Sequence, residues 1–173
     1  TDAVGAHTGE RLPLIGIQAR QVIQTLLNYA PDTAGALMTT EFVSVPADWT
    51  VAQTLQHIRD VERTRETVYA IYVLDPASAQ LQQVVTLRRL ITGQPGASIL
   101  DVAQTNAPVT VDPLMDQEEV AQLIRRHDLL AIPVVDAQRR LLGIVTVDDV
   151  LDALIEESTE DAHKFGGMEA LEQ

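Results

Sequence analysis

The chain carries the same pattern twice. "FVSVPADWTVAQTLQHIRDV" (42–61) parallels "PVTVDPLMDQEEVAQLIRRH" (108–127), and "YAIYVLDPASAQLQQVVTLRRLI" (69–91) parallels "LLAIPVVDAQRRLLGIVTVDDVL" (129–151). The first member of each pair reads as a short strand, a turn and an amphipathic helix. The second reads as strand, turn, strand and helix. Self-similarity at a period of about sixty residues marks a repeated structural unit that cannot bury its apolar face alone. A β-α-β-β-α unit has a three-stranded sheet with two helices on one face and nothing on the other. Two copies solve this by meeting face to face. The expected fold class is therefore α/β (α+β), a pseudo-two-fold pair with a cleft between equivalent loops.

Local signals agree with this division. Thr50 followed by Gln53 fits a capping box, and Asp116 followed by Glu119 is a similar arrangement at the matching helix. "LDPASAQL" and "VDAQRRL" carry polar hairpin residues between apolar strands. "VYAIYVL" and "LLAIPVV" are rich in residues that pleated, half-covered sheets favour. Pro133 belongs at a strand edge or strand beginning. Upstream, "LPLIGIQARQVIQTLLNYA" (12–30) is helical in pattern, with Val22, Ile23, Leu26 and Leu27 on one side. "APDTAGALM" (30–38) reads as a joint. Downstream, Gly166 and Gly167 predict a helix stop, followed by the start of another short helix.

The totals narrow the classes. Hydrophobic residues make up 46% of the 173 positions and aromatic ones only 3%, so the core is aliphatic. No apolar run approaches the roughly 20 residues of a membrane-spanning helix. The formal net charge is −13, which repels nucleic-acid backbones and anionic membrane surfaces and favours cations. With no cysteine, thiolate metal sites and Cys nucleophiles are excluded. The opening "TDAVGAHTGERLP" lacks a signal-peptide pattern and reads as the start of an excised fragment, partly disordered over residues 1–10.

The charge is concentrated. "TVDDVLDALIEESTED" (146–161) holds seven acidic side chains and no Lys or Arg, beside an apolar stripe of Val150, Leu151, Leu154 and Ile155. On a helix, Asp149, Asp152, Glu156 and Glu160 form one row, with Glu157 and Asp161 flanking it. Like charges at such spacings each destabilise by a few tenths of a kcal/mol, about 0.2–0.5. The row is either a solvated acidic face or a site for hard divalent cations, which take oxygen ligands and use few carboxylates per ion. Spacing alone leaves both open.

At "LLAIPVVDAQRRLLGIVTVDDVLDAL" the pattern resembles the CBS (cystathionine-β-synthase-type) regulatory motif, whose G-x-x-T-x-x-D element is here Gly143, Thr146 and Asp149. The tandem match runs over residues 36–157. "YAPDTAGALMTTEFVSVP", "DQEEVAQLIRRHDLLAIPVVD" and "GIVTVDDVLDALIEESTEDAHKFGGMEAL" further resemble the cytosolic region of MgtE-type magnesium transporters. That resemblance implies a start and terminal helix of an N-terminal helical domain over 1–35. It implies a first CBS motif over 36–98, a second over 99–157, and the start of a helix leading to a membrane pore over 158–173. It also implies Mg²⁺ as the regulatory ion, a homodimer through the CBS pair, and a location at the cytoplasmic face of the cell membrane. The N-terminal domain and pore of the same protein become partners, and nucleic acid does not. The metal positions it carries over are Asp149, Asp152, Glu157, Glu160 and Asp161 on the row, with Glu118 and Asp128 on the second unit. Asp116 and Glu119 read equally well as helix capping.

In CBS pairs the same G-x-x-T-x-x-D element holds adenine nucleotides, its Asp accepting from ribose hydroxyls and its Thr near phosphate. The resemblance therefore also puts Arg88, Thr146 and Asp149 forward for ATP. Against this, Thr146 three before Asp149 is itself a helix cap. The first unit departs from the pattern, with Gln83 for the Gly and Arg89 for the Asp, and only Thr86 matching. Arg89 cannot accept a hydrogen bond, while adjacent Arg residues favour phosphate.

No catalytic set emerges. One Glu-x-x-His, Glu160 and His163, is half of what a carboxylate-bridged two-metal site needs. His7, His57 and His127 stand apart, no phosphate-binding glycine loop is present, and Trp49 reads as a packing anchor. The expectation is a non-enzymatic magnesium-sensing regulatory region of a transporter, which compacts as a dimer when cations bridge its carboxylates. The alternatives are an adenine-nucleotide-sensing CBS module of another protein and a purely structural dimerisation module.

Overall fold

The computed structural model describes residues 28–61 and 68–169. The expected helix over 12–30 and most of the segment after Gly167 fall outside them. Two units follow one another, each built around a sheet. The first has β1 (Val43–Pro46), α2 (Val51–Val61), β2 (Ala70–Leu74), β3 (Leu81–Thr86) and α3 (Leu87–Thr92), preceded by the short α1 (Ala34–Leu37). The second has α5 (Gln117–His127), β4 (Ala131–Val135), β5 (Leu141–Thr146) and α6 (Val147–Glu169), preceded by the short α4 (Ile99–Val102).

In the first unit the strands lie in the order β1-β2-β3, with β1 parallel and β3 antiparallel to β2. The second unit keeps the antiparallel pair β4-β5 but not a full third strand. Residues 108–111 are reduced to one parallel bridge, Val111 to Val134, held by Val111 N–H to Pro133 and Val135 N–H to Val111. Pro108 and Pro113 flank this segment and donate nothing to a ladder, which limits how far it extends. Pro133 sits mid-strand in β4, on the side where that missing strand leaves an edge.

Alternation sorts each strand between two cores. Ile71 and Val73 face the helices of the first unit, and Ile132, Val134 and Val145 face those of the second. The opposite faces meet. Tyr72 and Leu81 from one sheet pack with Val135 and Ile144 from the other, flanked by Phe42, Val84 and Leu141. At the rim Leu81 N–H donates to Arg139 O (2.9 Å) and the Gln80 amide to Gln138 O (2.8 Å). The bare face of each sheet is covered by the other, as the repeat requires.

The short helices add a reciprocal exchange. α1 precedes the first unit but packs in the second, where Ala34 and Met38 join Val111, Val120 and Ile124. Its Ala34 N–H donates to Met115 O (2.8 Å) and Gly35 N–H to Pro113 O (2.7 Å), and Gln117 N–H donates to Asp32 O (2.8 Å). α4 precedes the second unit but packs in the first. Ile99 and Ala103 join that core, Ile99 N–H donates to Trp49 O (2.9 Å) and Val51 N–H to Ala97 O (2.9 Å). The joint over 30–38 is thus a structural part of the unit that comes second in sequence.

Turns and caps follow the local chemistry. Thr50 and Gln53 close a reciprocal capping box, Thr50 N–H to Gln53 Oε1 (2.9 Å) and Gln53 N–H to Thr50 Oγ1 (3.2 Å). Asp116 caps α5 through Glu118 N–H (3.0 Å). In the two hairpins Asp75 and Asp136 each accept two backbone N–H groups at 2.8–2.9 Å, and Ala79 and Arg139 take the left-handed conformation. Backbone N–H groups from Ser78 and Ala77 hold the Asp75 carboxyl below the ordinary aspartate range. At Asp136 the cost of burial is outweighed by the backbone N–H groups and the Arg140 guanidinium, with the same result. Trp49 packs edge-on to His57 at 5.4 Å and against the first core, an anchor as its sequence position implies.

Besides the third strand of the second unit, another expectation fails. α6 runs unbroken through Gly166 and Gly167 to Glu169. Neither glycine takes positive φ, so neither acts as a helix stop. Each costs a helix only about 1 kcal/mol relative to Ala, too little to end one that has no competing cap.

Two substitutions at the seam between the units should behave oppositely. The Tyr72 hydroxyl is buried with no hydrogen-bond partner among the described residues, and burial pushes its pKa above the ordinary phenol range. Tyr72→Phe should leave stability unchanged or raise it by about 1–2 kcal/mol. At Gly143 a Cβ would lie 2.8 Å from Thr39 O, so Gly143→Ala should lower stability by about 1–3 kcal/mol. Chemical denaturation of the two variants checks both signs.

Candidate functional site

α6 leaves β5 through Thr146, whose hydroxyl accepts from Asp149 N–H (3.3 Å). Asp148 and Asp149 stand in the first turn, where the positive end of the helix dipole favours carboxylates. Val150 and Leu154 turn inward against α5. The row on the other side is exposed at Asp149, Asp152, Glu156 and Glu160. Among the described residues none of these carboxylates is in an ion pair, the salt bridge present being Arg140 to Asp136 (2.9 Å).

The structure divides the acidic residues named from the sequence among four places. Asp149 and Asp152 line a concavity of about 520 Å³ together with Glu156, Thr39, Thr40 and Glu41. Glu157 does not join the row. It is half-buried and accepts from the Gln117 amide (2.7 Å), itself 2% exposed at the start of α5. Glu160 and Asp161 lie on the exposed outer part of α6. Asp149 and Asp161 are separated by about 18 Å of helix rise.

Glu118 and Asp128 border a second concavity of about 620 Å³ between α5 and α6, floored by Ala121, Leu129, Val150 and Leu154. They sit at opposite ends of α5, about 15 Å apart along its axis. Asp128 is its left-handed C-cap (φ 52°), donating its N–H to Arg125 O and Ile124 O. Leu151 and Ile155 beside this groove are 52% and 64% exposed.

The sequence reading missed Glu41. It lies more than a hundred positions from Asp149, and only the packing of the 36–41 segment on the second unit brings them to one concavity. Glu156 was signalled by its place in the helical row. The donors are all hard oxygens and suit Mg²⁺. Among the described residues, though, no three Asp, Glu or His side chains are grouped to hold a metal ion.

The equivalent place in the first unit differs. Thr86 Oγ1 accepts from Arg89 N–H (3.3 Å). The Thr cap thus persists where the acid is replaced, so capping accounts for the Thr by itself. Arg88 and Arg89 are exposed, and the Arg89 guanidinium donates to Val102 O (3.4 Å). A cleft of about 420 Å³ between the units is lined by Gln83, Thr86, Asn106, Val109, His127 and Leu129, among others.

Comparison with known proteins places these features in a family. The model of the CBS domain matches residues 34–96 and 97–156. The magnesium transporter MgtE of Bacillus subtilis (strain 168) is 41% identical over 145 residues, 84% of this chain and 32% of that protein. MgtE of Thermus thermophilus is 42% identical over 156 residues, 90% of this chain and 34% of that protein. The chain therefore spans about a third of the length of these curated relatives. Among solved structures, the cytosolic domain of the Mg²⁺ channel MgtE in complex with ATP superposes with a TM-score of 0.73 at 41% identity, over 79% of this chain and 54% of that one. The soluble part of a magnesium transporter does so with a TM-score of 0.73 at 43% identity, over 78% and 52%. These relatives are transporters, not enzymes.

The division of the acidic residues has a measurable consequence. Glu157→Ala strips a buried amide of a charged acceptor and should cost about 1–3 kcal/mol. Glu160→Ala, on the exposed outer helix, should change stability by no more than about 0.5 kcal/mol. Equal effects in chemical denaturation would mean that Glu157 points outward with the others.

Proposed function

This chain belongs to the CBS-domain family as a tandem pair of the kind found in the cytosolic region of MgtE magnesium transporters, and from that premise we propose that it is the magnesium-sensing regulatory part of such a transporter. The whole protein would place it at the cytoplasmic face of the cell membrane, between an N-terminal helical domain ending near residue 35 and a pore reached through the outer part of α6, from 158 onward. Residues 36–98 and 99–157 are its two CBS motifs. No helix among the described residues is long and apolar enough to cross a membrane.

The observation that carries the reading is that Asp149, Asp152, Glu156 and Glu41 line one concavity, with no ion pair to any of them among the described residues. Like charges held together in one concavity repel, so the state that gathers them is disfavoured without cations and favoured with them. Hard divalent ions relieve this with few direct carboxylate contacts each. The missing ligands come from a second copy and from the N-terminal domain. The apolar α5–α6 groove, with Leu151 and Ile155 exposed beside it, is the surface through which two copies meet. Glu118, Asp128 and the α6 carboxylates then lie along the seam of a homodimer. Charge neutralisation compacts the dimer, and α6 carries the change toward the pore.

The test is a magnesium titration of the chain followed by thermal melting and solution scattering. Millimolar Mg²⁺ should raise the melting temperature, the gain growing with concentration as RT ln(1 + [L]/Kd), and should shrink the dimer. Asp149→Ala/Asp152→Ala should abolish the gain while changing the stability of the magnesium-free protein by no more than about 1 kcal/mol, since relief of repulsion offsets the loss of a first-turn carboxylate. A pair that neither stabilises nor compacts with magnesium is a structural dimerisation module. One that responds to ATP alone is a nucleotide sensor.

A further inference from the structure

The two units present equivalent positions with opposite chemistry. Gly143 and Asp149 of the second correspond to Gln83 and Arg89 of the first, each set around a helix-capping Thr. At Gly143 the chain entering the first unit lies directly on β5, Thr39 N–H donating to Ile144 O (2.8 Å) and Ile144 N–H to Thr39 O (3.0 Å). At Gln83 the corresponding segment, 104–106, makes no such backbone bridge to β3. With its amide nitrogen turned inward, the Gln83 side chain instead reaches Gln104 O (3.1 Å) and Asn106 O (3.3 Å). It thus occupies two carbonyls that line the cleft.

Resting on the reading of this pair as a ligand sensor, we infer that Gln83 and Arg89 exclude adenine nucleotides from the inter-unit cleft, leaving the pair responsive to cations alone. A purine ribonucleotide needs room for its base, an acceptor for its ribose hydroxyls and positive charge for its phosphates. The first unit has two exposed guanidinium groups, Arg88 and Arg89, on the helix capped by Thr86, which itself lines the cleft. Its ribose-accepting position, however, is Arg89, which has donors only and is turned to Val102 O. The cleft beside it is narrowed by Gln83, tied to the 104–106 segment. The second unit has the acceptor, Asp149, but sets it among Glu41, Asp152 and Glu156, and that field repels a polyphosphate. Each half keeps a different part of a nucleotide site, and neither keeps enough.

The experiment is calorimetry and thermal melting of the full chain with ATP, AMP and adenosine in magnesium-free buffer, for the native protein, Arg89→Asp and Gln83→Gly/Arg89→Asp. The native chain should show no saturable heat and no change in melting temperature with any of the three. Arg89→Asp, an exposed substitution that keeps the fold, should gain binding of AMP and adenosine, and the double variant should tighten it at least about tenfold, 1.4 kcal/mol. Saturable binding of ATP or AMP to the native chain overturns the inference. So does a folded pair of variants that bind no better than native, because then Gln83 and Arg89 are not what excludes the ligand. Magnesium stabilisation of Arg89→Asp, read in the same melts, reports separately on the sensing role and should match the native chain.

Discussion

Everything in this fold depends on two half-covered sheets needing one another. Tyr72, Leu81, Val135 and Ile144 are buried only because the second sheet lies over the first. The exchange of α1 and α4 makes the dependence mutual. Each unit's helical core is completed by a segment that precedes the other in sequence. Fully burying one aliphatic side chain is worth about 1.5–3 kcal/mol, so an isolated unit would expose several such contributions at once. The pair, rather than the unit, is the object that folds.

That mutual packing also decides where the charge sits. α6 is anchored at its base by Val150 and Leu154 against α5 and by the Gln117 to Glu157 bond. Gln117 is in turn tied through its backbone to Asp32 in the segment entering from the N-terminal side. The entering chain and the outgoing helix are thus fastened to the same buried residue. Beyond this anchor α6 is exposed, and its carboxylates are tolerated because water solvates them.

Pseudo-symmetry sets the frame, and local chemistry departs from it where function differs. The hairpins match down to the Asp that accepts two backbone N–H groups and the left-handed residue beside it. The helices that follow the two hairpins do not match. α3 spans six residues and carries two Arg, whereas α6 spans 23 and carries the acidic row. The sites that differ between the halves are Gly143, buried beneath Met38 and Thr39, against Gln83 at the cleft, and Asp149 against Arg89, both exposed.

Much of this was legible from residues alone. The repeat dictated two sheets meeting face to face, because a bare apolar sheet face has no other partner. Turn aspartates, the Thr50 and Gln53 box and the helical acidic row follow from interactions within a few positions of one another, and sequence shows those directly. The third strand of the second unit, the unbroken passage of α6 through Gly166 and Gly167, and the inward turn of Glu157 were not legible. Each depends on what a distant segment offers or fails to offer. The same holds for Glu41, which meets Asp149 only because the chain before the first unit is packed on the second. Sequence determined which residues share a helix face or a turn, since short-range geometry is fixed by backbone periodicity. Tertiary structure alone decided which carboxylates share one concavity, since that requires closing long loops whose ends no local interaction brings together.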